Sequence, residues 1–545
     1  MRPRPLTHLI RSQDAAVAPT VALSLFGLIA AGGIAFDYSR MASLHTELQQ
    51  AADQAALAAA SQLDGKSGAC SRAAQAAVNL VANNTLFANE SGGTRAVTVP
   101  LETGCDATGN VKFWQNKTKT TASDSDANAN FVEVTVNTRE AFFALTPIVS
   151  AFSSGGLSGT AFAGLQSAIC KVPPVMICNP SEGSDPSFTT SNYVGKGLNL
   201  VSVGNGGGAW TAGNFGYLNT NGGSNGAPGL RQALGWLDPP GDCSPQTGVN
   251  TKPGASVSVT DALNTRFDIY DSNVSCESGG SCPPSINTVK DLLRPASASG
   301  GNACKIHNQG WQEPSASNKL YLPNAGNSLT ALPSSVIPDA MGHPRDMCHA
   351  SATSASNHCS GPVGDGNWDR DAYFRVNYGW NSSSWQSNTG LGSTATRYQV
   401  YSWEIAHRGQ TIGGKTILGP RSVGSLRDLD SPICSSLQTP SYGTGIVPGG
   451  TNVDRRRISV AVINCSANNV HGSSTNVPVQ KWIDVFLVEP SLNRGAASAT
   501  IGGTNYARSG TNAGDIYVEV IGETTTAAGS TAGQVVRHDV PYLIE

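Results

Sequence analysis

Asp365, Asn367, Asp369 and Asp371 put four oxygen-bearing side chains at alternate positions in the run GDGNWDRDAYF. Calcium loops use this spacing because a hard cation gathers roughly six to eight oxygens around itself. An EF-hand would also need Gly at its sixth position and a bidentate Glu at its twelfth; Arg370 and Val376 stand there instead. The residues favour a polar turn with Trp368 packed beneath it, with calcium as the alternative. His343, His349 and His358 flank Cys348 and Cys359. Zinc would want a short-spaced ligand pair, which these cysteines do not make, and a disulfide suits them as well. Gly222-Gly223-Ser224-Asn225-Gly226 matches G-x-S-x-G, but a nucleophile elbow needs a strand entering and a helix leaving. This string lies in a Gly/Asn-rich stretch with no His placed beside it, so a hydrolase is not expected. Trp210, Phe215, Tyr217 and Trp236 border the Gly-rich loops and would stack on a sugar or a protein partner, or pack into a core; core packing is the commoner fate. These residues predict no catalytic residue, no cofactor and no small-molecule substrate.

The surrounding chain is 545 residues long, with 13% charged residues and 61 glycines. That composition suits a β-rich secreted region with polar loops. A net charge of -3 removes the electrostatic basis for binding nucleic acid. The 12 cysteines all follow residue 69, which reads as disulfides formed in an oxidising compartment, with buried thiols as the alternative. Cys170/Cys178, Cys276/Cys282 and Cys348/Cys359 are close enough in sequence to close short loops.

Residues 15–36, AAVAPTVALSLFGLIAAGGIAF, carry no formal charge. As a helix they extend about 33 Å, enough to cross the hydrocarbon core of a bilayer. Arg2, Arg4 and Arg11 precede them against the single acid Asp14, so the positive-inside rule keeps the N-terminus in the cytoplasm and sends the rest outward. A cleaved signal peptide, with Gly33 and Ala35 before the cut, is the rival reading. Residues 37–63 contain no Gly or Pro and are rich in helix formers. Met41, Leu44, Leu48, Ala51, Ala55 and Ala58 recur at spacings of three and four, which predicts one apolar stripe on a continuous rod of roughly 70 Å. Asp37 and Asp53 read as a membrane-boundary charge and a solvent-facing helix charge.

Asp37-Tyr38-Ser39-Arg40 after the apolar run, and then Leu48-Gln49-Gln50-Ala51-Ala52-Asp53-Gln54-Ala55-Ala56-Leu57-Ala58, resemble the N-terminal domain of TadG-like proteins. Asp37, Tyr38, Arg40, Leu48, Gln49, Asp53 and Leu57 carry the likeness. Resemblance to this family, part of the tight-adherence (Tad, or Flp) type IVb pilus machinery, implies a membrane-anchored, non-catalytic component of pilus assembly. The implied partners are the inner membrane and other pilus-assembly proteins or the pilus. The alternative function is a tethered adhesin or a glycan- or protein-binding module. Many TadG-like relatives carry a von Willebrand A domain, whose metal motif is D-x-S-x-S. Asp185-Pro186-Ser187-Phe188-Thr189 and Asp271-Ser272-Asn273-Val274-Ser275 both fail it, the first by context and the second by spacing. FDIYDS, GDGNWDRDAYF, DRRRISVAVINC and DIYVEVIG look like C-terminal stretches of some TadG-like proteins.

Residues 71–88 predict a second helix and 131–136 a strand. The run CKVPPVMICNP marks a boundary at about 168–180. Beyond it, 457–463, 482–488 and 515–521 predict strands, with helices near 228–236 and 286–293. The fold class read from the sequence is α+β. A cytoplasmic tail (1–14) and a transmembrane helix (15–36) lead into a long helix with a small pilin-like strand module (37–168). A large, mainly-β, disulfide-bearing periplasmic domain (169–545) follows.

Overall fold

In a computed structural model, the described residues are 17–64, 67–80, 84–89, 95–126, 128–143, 154–170, 173–202, 210–219, 226–239, 244–245, 248–254, 257–271, 276, 280–315, 319–325, 337–351, 359, 361–428, 432–434, 444–449, 452–524 and 536–544. The chain forms two compact units, one of residues 1–167 with 539–545 and one of residues 168–538. Long helix first and β-rich region after, the architecture is α+β.

In the first unit, α1 (Val17–Ala60) is one unbroken helix of 44 residues. Its first half is apolar and exposed, including Leu23, Phe26, Leu28 and Phe36. It is long and apolar enough to cross a membrane. Its second half is buried at Leu44, Leu48, Ala51, Ala52, Ala55, Ala56, Ala59 and Ala60. The buried band is wider than the predicted stripe because α1 is covered on two sides. α2 (Ala69–Leu80) lies against one, and the strands β2 (Phe131–Thr135), β3 (Arg139–Phe142) and β4 (Ser154–Leu157) against another. Alanine makes this possible, since a small side chain lets two backbones approach. α2 ends at residue 80, and 84–88 are not helical, so the helix is shorter than 71–88 predicted. The Asp126 carboxylate accepts hydrogen bonds from the Gly68 and Cys70 amides at its start, and Cys70–Cys105 ties the helix down.

β1 (Val111–Trp114), β2, β5 (Thr160–Cys170) and a C-terminal strand (Val536–Leu543) are neighbours in one sheet. Val111, Phe113, Val132 and Val134 turn to the core, while Glu133 between them meets Lys112 and Lys119. The sequence reading runs the outer domain to residue 545, but residues 539–545 belong to the first unit. The last strand finds its partner in β5, more than 300 residues upstream, where no local pattern points.

In the second unit, β6 (Met176–Cys178), β7 (Gly197–Val201), β8 (Arg457–Ile463), β9 (Val479–Leu487) and β10 (Ile516–Glu523) form a sheet in the order β6-β8-β9-β10-β7. Only the β6–β8 pair is parallel. Val460, Val462, Ile483, Val485, Val518 and Val520 enter the main core on one face. Ala461, Ile463 and Trp482, with Phe486 and Tyr517, are buried on the other. Both faces being covered, these strands read as continuous apolar runs. The helix predicted near 228–236 is α3 (Ala227–Gly235). The one predicted over 286–293 is absent. That stretch is buried but irregular: the Asn287 and Ser285 side chains bind nearby amides, and Ile286 and Leu293 pair with Ile446 and Gln312. Three unpredicted helices, α4 (Arg370–Tyr378), α5 (Ser382–Thr389) and α6 (Arg397–Ala406), carry an aromatic core of Trp368, Phe374, Trp380, Trp385 and Trp403.

Among the described residues ten cysteines join in five disulfides: Cys70–Cys105, Cys178–Cys465, Cys276–Cys282, Cys304–Cys434 and Cys348–Cys359. Two of the three short-loop pairings hold. Cys170/Cys178 does not, because β6 lies beside β8 and brings Cys178 to Cys465.

Candidate functional site

The residues that bear the family likeness lie on α1, and most act in holding that helix to the strand module. Leu48 is fully buried. Gln49 donates its amide to the Thr160 carbonyl of β5 and to the Asp53 carboxylate, both at 2.9 Å. Asp53 is therefore a partner within the helix and only half-exposed. Leu57 is half-buried. Arg40 Nε donates to the Phe87 carbonyl at 3.0 Å, and the Glu47 carboxylate accepts from the Leu86 and Phe87 amides. Gly159 lies so close to α1 that a Cβ there would collide with the Leu48 carbonyl. Tyr38 is exposed, whereas Asp37, expected as a boundary charge, is only 1% exposed and belongs to the packed face. The helix thus offers an apolar half to its surroundings and binds the module with the other half. Residues 15–62 match the Tad family. The family's description is "Putative Flp pilus-assembly TadE/G-like". No curated protein and no solved structure matches the chain. The Tad match covers the whole docking face of α1 and stops where the helix ends.

The remaining sequence candidates lie in the second unit, away from the Tad helix in sequence. Asp369 is buried and caps α4, accepting from the Ala372 amide at 3.0 Å and the Tyr321 hydroxyl at 3.2 Å. Burial pushes its pKa up to about 6. Asp371 accepts from the Trp385 indole at 2.7 Å, and Asp365 from the Asn367 amide at 2.9 Å. Among the described residues Asp365, Asp369 and Asp371 do not converge as one group; Asp365 instead lies within 4.8 Å of the ligand atoms of Asp346 and Cys348, and the Cys348 sulfur is spent in its disulfide. Trp368 is fully buried beneath this turn. His349 approaches Cys348 and Cys359, but both sulfurs are spent in their disulfide; His358 lies outside the described residues. His343 stacks on Tyr373 at 4.6 Å, and burial pulls its pKa down. Asp185 sits in a turn, its carboxylate accepting from the Thr189 amide and the Ser187 hydroxyl. Residues 220–225 and 272–275, parts of two weighed motifs, also lie outside the described residues. Of the four candidate binding aromatics, Tyr217 is fully buried, and Trp210 and Phe215 pack partly buried on the same core. Trp236 lies against Gly280. They do not form one open face.

What the sequence reading missed is a charged interior. Arg397 is fully buried and binds two carboxylates, Asp346 and Glu519, while its Nε donates to the Pro344 carbonyl. Asp346 also accepts from the Gly197 and Gly366 amides, and Glu519 from the first amides of α6. Burial would raise Asp346, but the Arg397 charge and these amides hold it below its ordinary value; Glu519 is pushed up because burial prevails. Arg266, Arg455 and Arg456 are likewise fully buried. Their guanidinium groups donate to carbonyls of Leu234, Gly235, Pro283, Leu487 and Val488. In a loop-rich unit these arginines satisfy carbonyls that no helix or strand provides for. The triplet Arg455-Arg456-Arg457, directly before an apolar strand, was the available sequence signal.

Glu404 of α6 accepts from Tyr373, Tyr378 and Asn287 at 2.6, 2.8 and 2.7 Å. Burial outweighs these donors and pushes its pKa up to about 7. The folded state therefore holds the Glu404 proton more tightly than the unfolded state. That stability is complete below the ordinary value of 4.5 and is lost as pH rises through about 7. Glu404→Gln should remove this component. The wild-type protein should lose up to about 3 kcal/mol relative to the variant between pH 4.5 and 8. Urea unfolding at several pH values measures the difference; parallel curves would mean that Glu404 is ionised in the fold.

Proposed function

We propose that the protein is a membrane-anchored structural component of Flp/Tad pilus assembly, acting without a catalytic step. The observation that carries this reading is the Tad match on a helix that is apolar and exposed in one half and docked to a folded module in the other. α1 crosses the inner membrane once, with residues 1–14 in the cytoplasm and both folded units in the periplasm. Arg2, Arg4 and Arg11 support this orientation. So do the five disulfides, all beyond the apolar half and all suited to an oxidising compartment. The second unit, cross-linked and held by internal arginines, serves as a rigid body to be gripped by other assembly proteins or the pilus.

Deletion of the gene should abolish surface pili and adherence, and restoration should require the intact apolar half of α1. A complement carrying Leu25→Arg and Leu28→Arg should release the protein from the membrane fraction and leave the defect in place. Normal pili and adherence in the deletion strain would refute the role.

A further inference from the structure

A cavity of about 70 Å³ lies in the second unit, partly open to solvent. Its wall gathers Asp291, Arg345, Glu489, Arg494 and Arg508 from separated stretches of the chain. Glu489 accepts from Arg345 Nε at 2.7 Å and lies 3.6 Å from Arg494. Arg494 binds Asp291 at 2.6 Å and approaches Glu313, outside the wall, at 3.4 Å. Arg508 donates to both Glu313 oxygens, at 3.0 and 3.2 Å. The result is a chain of alternating charge, Arg345–Glu489–Arg494–Glu313–Arg508, with Asp291 branching from Arg494. Arg345 also stacks on the Tyr517 ring at 4.7 Å. Groups tied to one another in this way are preorganised for a ligand.

The charges decide what the cavity suits. Three guanidinium groups meet three carboxylates, so these pairs cancel. Lys290, also in the wall, directs its ammonium to residues outside it, the Trp311 ring at 3.7 Å and the Thr288 carbonyl. A charged ligand would be buried here without a counter-charge of its own. Polar capacity of both kinds remains. Among the described residues, Arg508 Nε has no acceptor, and neither ring nitrogen of His343, a buried wall residue, has a partner. Burial and the Arg456 and Arg397 charges keep His343 neutral, with one N–H and one acceptor nitrogen. A carboxylate ligand only accepts, whereas a hydroxyl both donates and accepts. Tyr321, Pro323, Pro344 and Pro490 give the wall an apolar part, and the Tyr321 ring is oriented by its hydroxyl bond to Asp369. By volume the cavity takes about five to seven water-sized groups. That is room for one edge of a sugar ring, with the rest at the open mouth.

We propose that this cavity binds a neutral sugar unit, its vicinal hydroxyls bridging guanidinium and carboxylate groups and its C–H face set against Tyr321. A few fixed polar groups beside an apolar wall are what ligand pockets commonly offer. The site goes beyond the pilus-assembly reading and does not depend on it. A peptide or a small anion in the same cavity is the competing outcome.

The test uses the full chain in phospholipid nanodiscs, which avoid sugar-based detergents. Fluorotyrosine is placed at position 321, and its fluorine resonance is followed as glucose, galactose, N-acetylglucosamine, acetate or N-acetylglycinamide is added. At least one sugar should give a saturable shift, and saturation transfer from the unlabelled chain should reach that sugar's C–H protons. Arg345→Lys keeps a cation beside Glu489 but loses the planar fork of donors. It should unfold as cooperatively in urea as the parent chain and bind the sugar about tenfold more weakly, the loss of one hydrogen bond to a charged group. A response to acetate or N-acetylglycinamide but to no sugar would overturn the ligand assignment. No response to any probe in either measurement would overturn the site, as would unchanged sugar affinity in Arg345→Lys.

Discussion

Arg397→Met should destabilise the second unit by about 3–5 kcal/mol, the cost of stranding buried charge. Met preserves much of the apolar stem but removes the only cation that binds both Asp346 and Glu519 among the described residues. Both carboxylates are fully buried, so water cannot replace the lost partner. The Pro344 carbonyl would also lose its donor. The effect should spread, because the triad joins α6 to β10, to the start of β7 at Gly197 and to the turn at Gly366. Urea unfolding of the detergent-solubilised chain, followed by tryptophan fluorescence, measures it. Of the 9 tryptophans only Trp114 precedes residue 168, so the signal reports mainly the second unit. Combining Arg397→Met with Glu519→Gln should cost less than the sum of the single changes. A loss below about 1 kcal/mol for Arg397→Met would place the triad with exposed ion pairs and contradict its burial.

Replacing Cys178 and Cys465 together by Ala should cost about 4–5 kcal/mol, near the upper end for a disulfide. Their sequence separation is 287, and the bridge closes this loop beside the parallel β6–β8 pair. Even with the nested Cys304–Cys434 bridge shortening the unfolded loop, a long stretch of chain is released. Removing Cys276–Cys282, whose separation is 6, should cost only about 2 kcal/mol on the same chain-entropy argument. The same unfolding measurement compares the two variants. Equal losses would show that contacts in the folded state, not loop length, set the contribution of these bridges.

The two expectations differ in how they could be anticipated. Cysteines confined to one side of an apolar run announce disulfides, but not their partners. Cys178 stands eight positions from Cys170 and pairs instead with Cys465, because strand order brings β6 to β8. Arg397 carried less warning still, since an isolated charged residue normally lies at the surface. The missed helices had local signals. Asp369, Asn381 and Thr396 are N-caps, Thr396 with Gln399 forms a capping box, and Gly379 and Gly390 close two helices at positive φ. Those signals were masked by Asn, Ser and Gly-rich surroundings that read as loop. The stretch 286–293 shows the reverse: it was read as a helix, but tertiary partners took its backbone groups.

The sequence by itself determined α1 and its division into two halves. Charge-free length and Ala-rich periodicity are properties of neighbouring residues, so they survive without knowledge of the fold. Strands 457–463, 482–488 and 515–521 were legible for the same reason. Tertiary structure alone decided what the buried half of α1 packs against, that Asp37 faces inward, that the C-terminal strand joins β5, and which charges form the interior of the second unit. Each depends on groups brought together across tens to hundreds of residues. Their pairing minimises unsatisfied polar groups and exposed apolar surface over the whole chain, which no local window of sequence records.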